Sequence, residues 1–124
     1  MIFSIITVSY NASDTIEDTI QSVLQQREHV ELEYLVVDGG STDGTVDIIR
    51  RYDDVIDYWV SEPDQGIYDA MNKGIKQASG EWVGILNSDD WYADSALSCV
   101  TAAVRTMRDP DVIVGQLVRV TKNM

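Results

Sequence analysis

The chain has 124 residues, 21 acidic against 9 basic, for a formal charge of −12. That length fits a single domain over residues 1–124 with a core of its own, and the charge excludes a nucleic-acid binder, because phosphate backbones are held by clustered Lys and Arg. A lone cysteine, Cys99, excludes an internal disulfide or a Cys-based zinc site; with no leader-like N-terminus and no run of about 20 apolar residues, a cytoplasmic setting without a direct membrane segment is expected.

Apolar, β-branched residues from Ile2 to Ser9 read as the first strand. Asp14 and Glu17 have the spacing of a capping box, after which Ile16, Ile20, Val23 and Leu24 recur on one helical face. His29, between Glu28 and Glu31, reads as an ordinary surface residue. Tyr34 to Val37 is the second strand, and a second helix follows Thr45 with Val46 and Ile49 inward. The third strand is Ile56 to Val60, and its helix carries Ile67, Met71, Ile75 and Ala78 as an apolar stripe. Trp82 to Leu86 is the fourth strand, Leu97, Val100, Val104 and Met107 mark a fourth helix, and Val112 to Val114 suggest a fifth strand. Such alternation predicts an α/β, Rossmann-like, mostly parallel sheet with helices on both faces.

Ligands of open α/β sheets bind beyond the carboxyl ends of the strands. The residues there are small, polar and acidic: Tyr10, Asn11 and Ala12; Asp38, Gly39 and Gly40; Ser61 to Gly66; and Asn87, Ser88, Asp89 and Asp90. Adjacent carboxylates repel and resist desolvation, so Asp89 and Asp90 call for a cation, donors or open water. Gly39, Gly40 and Gly44 suit tight turns and do not spell the dinucleotide fingerprint, which disfavours a nicotinamide enzyme.

Four segments in this order, SIITVSYNASDTI, YLVVDGGSTDGT, SEPDQGIYDAMNKGI and GEWVGILNSDD, resemble the nucleotide-sugar-binding half of family 2 glycosyltransferases, an inverting group with the A-type fold. The resemblance runs from Ile2 to about Tyr92 and implies a truncated A-type fold that lacks the acceptor-binding half. It places Tyr10 and Asn11 near the base or ribose and makes Asp38 the acid that accepts a hydrogen bond from the base. Asp64, Gln65 and Gly66 would border the nucleotide, and Lys73 would either reach the donor or pair with Asp69 at i, i+4. Asp89 would contact the ribose or the metal shell and Asp90 would ligate the metal, Mg²⁺ or Mn²⁺ by the hardness of the oxygens. Asn87 stands where many members have Asp, which lowers the charge of that site. The implied partners are a nucleoside-diphosphate sugar, a UDP-sugar first among them, and a saccharide acceptor.

An inverting transferase also needs a general base. No Asp or Glu follows Asp111, and neither Asp109 nor Asp111 suits the role. The chain is therefore expected to bind donor yet transfer sugar poorly, and to self-associate through apolar surface. The alternatives are a non-catalytic nucleotide-diphosphate-binding module and, more remotely, a receiver-type signalling domain; the latter needs an acidic pair after the first strand, where this chain has Tyr10 and Asn11.

Overall fold

Near-continuous apolar runs form the strands, as expected for parallel strands buried on both sides. In the computed structural model, which describes residues 2–107 and 111, they are β1 (Ile2–Ser9), β2 (Glu31–Asp38), β3 (Tyr58–Ser61) and β4 (Trp82–Asn87). The helices α1 (Ile16–Gln26), α2 (Thr45–Arg51), α3 (Ile67–Gln77) and α4 (Ala96–Thr106) alternate with them. All pairings are parallel, in the order β3-β2-β1-β4. After β3 the chain crosses back to lay β4 on the far side of β1, so the carboxyl ends of β1 and β4 flank the point where the winding reverses.

Strand parity divides the core. Phe3, Ile5, Leu32, Tyr34, Val36 and Leu86 pack with Ile16, Ile20 and Val23 of α1, Ile49 of α2 and Leu97 of α4. On the opposite face Ile6, Val8, Leu35 and Val37 pack against Ala70 of α3.

Three expectations need correction. Thr15 is the N-cap of α1 and no side chain caps it, so the Asp14 and Glu17 box does not form. Glu17 instead accepts a 2.6 Å hydrogen bond from the Tyr52 hydroxyl, linking α1 to the end of α2. β3 starts at Tyr58 because Ile56 turns into the core, its amide bonded to the Tyr52 carbonyl. α3 docks through Ala70 and Gly74, leaving Ile67 and Ile75 each 45% exposed. The expected fifth strand lies outside the described residues.

Small residues win in α3 because the helix backbone rides directly on β1. A Cβ at Gly74 would sit 2.5 Å from the Ile6 side chain, itself fully buried. Gly74→Ala is therefore expected to destabilise the protein by about 1–3 kcal/mol through overpacking, against the ~1 kcal/mol that Ala gains over Gly in an open helix; thermal unfolding measures the sign directly. Val83 and Ile85, on this same face of β4, are also exposed, so an apolar band extends beside α3.

Candidate functional site

The cleft rim is built from the loops after β1 and β2. Asn11 has a left-handed backbone, φ 48°, a conformation Asn tolerates better than most residues. Its amide donates to Ser41 Oγ (2.8 Å) and its Oδ1 accepts from the Thr42 amide (2.9 Å). Ala12 N donates to Thr45 Oγ1 and Ser13 N to Asp43 Oδ2, so four hydrogen bonds join the two loops. Bonds from Thr45, with one from the Ser13 amide, hold the Asp43 carboxyl well below the ordinary range. Gly40 (φ 84°) and Gly44 (φ 148°) adopt the left-handed backbone expected of turn glycines.

Behind this rim an open cleft of about 910 Å³ runs across the carboxyl ends of β1 and β4, within the range of small-molecule sites. Tyr10, 65% exposed, stands on its wall with Asn11, Asp64, Gly66 and Asp89. Five of the candidate site residues, from three separate loops, thus share one cavity. Thr15 and Ile67, at the starts of α1 and α3, also line it. The sequence signal for these two was their place at the N-terminal ends of the helices that follow β1 and β3.

The acidic loop is held from below by buried polar residues of α1 that sequence reasoning passed over. The single Thr19 Oγ1 proton is shared between the carbonyls of Ser88 (3.0 Å) and Asp90 (2.6 Å), Ser22 Oγ accepts from the Tyr92 amide, and Gln26 bonds Ala93 O and Leu97 N. Thr19, Ser22 and Gln26 recur at i, i+3 and i+7 beside the apolar stripe, a spacing that marks one buried face. Asp89 is exposed on the cleft wall, whereas Asp90 is half-buried and not part of it. Burial, with the Asp89 charge beside it, pushes the Asp90 carboxyl up. No ion pair neutralises either acid among the described residues. Asn87 Oδ1 is buried at the same place with no donor among the described residues.

Asp38 stands behind the cleft wall. Its Oδ1 accepts from Ser9 Oγ (2.7 Å) and Ser41 Oγ (2.6 Å), and its Oδ2 from Ser61 Oγ (2.7 Å) and the amides of Ser41 (2.8 Å) and Gly40 (3.1 Å). Five donors occupy a fully buried carboxylate, leaving no acceptor for a base. Lys73 points to Glu62 (3.1 Å) and Asp69 (3.9 Å) and does not line the cleft. Gln65 is exposed and off the wall, its amide bonded to Asp69 Oδ2.

The model of the family described as glycosyl transferase family 2 matches residues 4–123 of this chain. The chain belongs to glycosyl transferase family 2. A similar member is a putative teichuronic acid biosynthesis glycosyltransferase, TuaG of Bacillus subtilis, 46% identical over 95 residues, which cover 73% of this chain and 37% of that protein. S. aureus TarS (residues 1–349), solved with UDP-GlcNAc, superimposes with a TM-score of 0.72 at 28% identity, over 85% of this chain and 31% of that one. The mannosyltransferase PcManGT of Pyrobaculum calidifontis, solved with GDP-Man and Mn²⁺, gives a TM-score of 0.69 at 30% identity, over 77% and 30%. This family 2 chain thus spans about a third of the length of each of these proteins. Among its described residues no helix is long and apolar enough to cross a membrane.

Proposed function

We propose that this family 2 chain is the donor-binding part of a metal-assisted glycosyltransferase that moves a sugar from a nucleoside-diphosphate sugar to an acceptor hydroxyl with inversion. The observation that carries the reading is the convergence of Tyr10, Asn11, Asp64, Gly66 and Asp89 on one cleft at the carboxyl ends of β1 and β4. Tyr10 offers an exposed ring on which a base can stack. The side-chain Nδ2 of Asn11, which has no partner among the described residues, suits a ribose hydroxyl. UDP-GlcNAc and GDP-Man, bound by the two solved neighbours, support a nucleoside-diphosphate sugar as the donor.

The acids fit a hard divalent ion held partly by the donor. No group of three or more His, Cys, Asp or Glu that could enclose a metal occurs among the described residues. One or two carboxylates with phosphate and water completing the shell is how Mg²⁺ commonly binds. Asp89 on the wall would hold the ion, with Asp90 beside it. When bound, Mg²⁺ or Mn²⁺ neutralises charge that builds on the departing nucleoside diphosphate. The chain's own part is to orient the donor through both rim loops and to keep Asp89 in place through Thr19.

Transfer also requires removal of the acceptor's proton. Asp64 and Asp89 are the only acids on the cleft wall among the described residues, and both are assigned to the donor. Asp109, in the sequence, lies outside the described residues. The 124-residue chain is therefore expected to bind nucleoside diphosphate and to release it from a donor sugar no faster when a saccharide acceptor is added. Rapid acceptor-dependent release would show that this chain contains a base. The apolar band around Val83 and Ile85 offers a surface for self-association, which sedimentation of the chain would reveal.

A further inference from the structure

Asp38 is saturated, so recognition of the base needs another acceptor. Within the cleft the choice narrows through a glycine. Gly39 does not have a positive φ, unlike Gly40, Gly44 and Gly66, so its backbone does not demand glycine. What a side chain there would meet is Asp64: an added Cβ would lie 2.9 Å from Asp64 Oδ2 and 3.2 Å from both Cγ and Oδ1. The Asp64 carboxylate rests on the bare backbone of residue 39 and fills the volume that a side chain there would take. Its Oδ1 accepts from the Gly66 amide at 3.0 Å, and its Oδ2 has no donor among the described residues.

From this arrangement, which rests on the donor-binding reading, we infer that Asp64 Oδ2, seated over Gly39, is the acceptor that reads a ring N–H on the Watson–Crick edge of the donor's nucleobase. A carboxylate can only accept, so it favours bases that present a ring N–H there, as uracil and guanine do, over cytosine and adenine, whose corresponding ring nitrogen is an acceptor. A site built to bond such an N–H rejects analogues lacking it, because its own acceptor is left unpaired. Asp38 is then the scaffold that fixes the loop under residue 39, and the two aspartates divide a structural and a selective role. If Asp64 merely turned the chain into α3 through its bond to Gly66, its replacement would leave base preference unchanged.

The test is calorimetric titration of the full chain with UDP, GDP, CDP and ADP in the presence of Mn²⁺. Wild type is expected to prefer UDP or GDP. Asp64→Ala should lose about tenfold or more for the preferred nucleotide, the scale of a charge-assisted hydrogen bond, with little change for CDP and ADP and with Mn²⁺ dependence retained. Gly39→Ala should lose in the same direction by displacing Asp64, and the exchange variant Gly39→Asp with Asp64→Gly should recover the preference. Circular dichroism confirms folding of each variant. Unchanged preference in Asp64→Ala, or an equal loss for all four nucleotides, overturns the assignment while leaving the donor site standing. Failure of wild type to bind any of the four overturns the donor-site reading and this assignment with it.

Discussion

Asp89→Ala is expected to remove the Mn²⁺-dependent part of nucleoside diphosphate binding, a loss of about 100-fold in affinity, while the melting temperature moves by no more than about 2 °C. The two readouts separate because Asp89 is exposed and its side chain forms no bond within the fold among the described residues. The loop keeps its course through main-chain carbonyls, those of Ser88 and Asp90 held by Thr19, which the substitution does not touch. Asp90→Ala, altering a carboxylate off the cleft wall, should give the smaller loss. Calorimetry with and without Mn²⁺ decides the order, and a larger effect at Asp90 would move the primary ligand one residue along.

Asp38→Ala should act on stability instead, by roughly 3 kcal/mol or more, because it strands several buried donors at once. The hydroxyls of Ser9, Ser41 and Ser61 and the amides of Ser41 and Gly40 all converge on that carboxylate. Burial alone would push the Asp38 carboxyl up, but the donors from Ser41, Ser61 and Ser9 together outweigh it and hold it below the usual range. A depressed folded value means that the group's stabilisation is fully present above the unfolded value, about pH 4 for Asp, and is lost as pH falls through the lower folded value. Chemical denaturation of wild type should therefore weaken progressively below about pH 4, and Asp38→Asn should flatten part of that slope. An Asp38→Ala variant as stable as wild type would mean that the serine network is incidental.

The strands were legible because a parallel sheet buries both faces, so apolar β-branched runs such as IITV in β1 have few other uses. Their order along the chain then places the cleft, since every post-strand loop falls on one edge. α3 was misread because its packing face is decided by how closely two backbones approach. Ala70 and Gly74 permit that approach, and periodicity weighted by side-chain hydrophobicity chose Ile67 and Ile75 instead. The surroundings of Asp38 and Asp64 were not legible for a related reason. They depend on three serines from separate segments and on the side chain missing at Gly39, which are neighbours only after folding. Likewise Thr19, Ser22 and Gln26 looked like ordinary polar helix positions until the segment after β4 lay against them.

The most direct test of the proposed metal-bridged donor site is paramagnetic broadening by Mn²⁺ in amide NMR spectra of the chain, recorded with and without UDP or GDP. Broadening that concentrates on Asn11, Gly39, Ser88 and Asp89 and strengthens when nucleotide is added is the predicted result. Broadening centred on other surface acids, such as Asp47 or Asp53, and indifferent to nucleotide would contradict it.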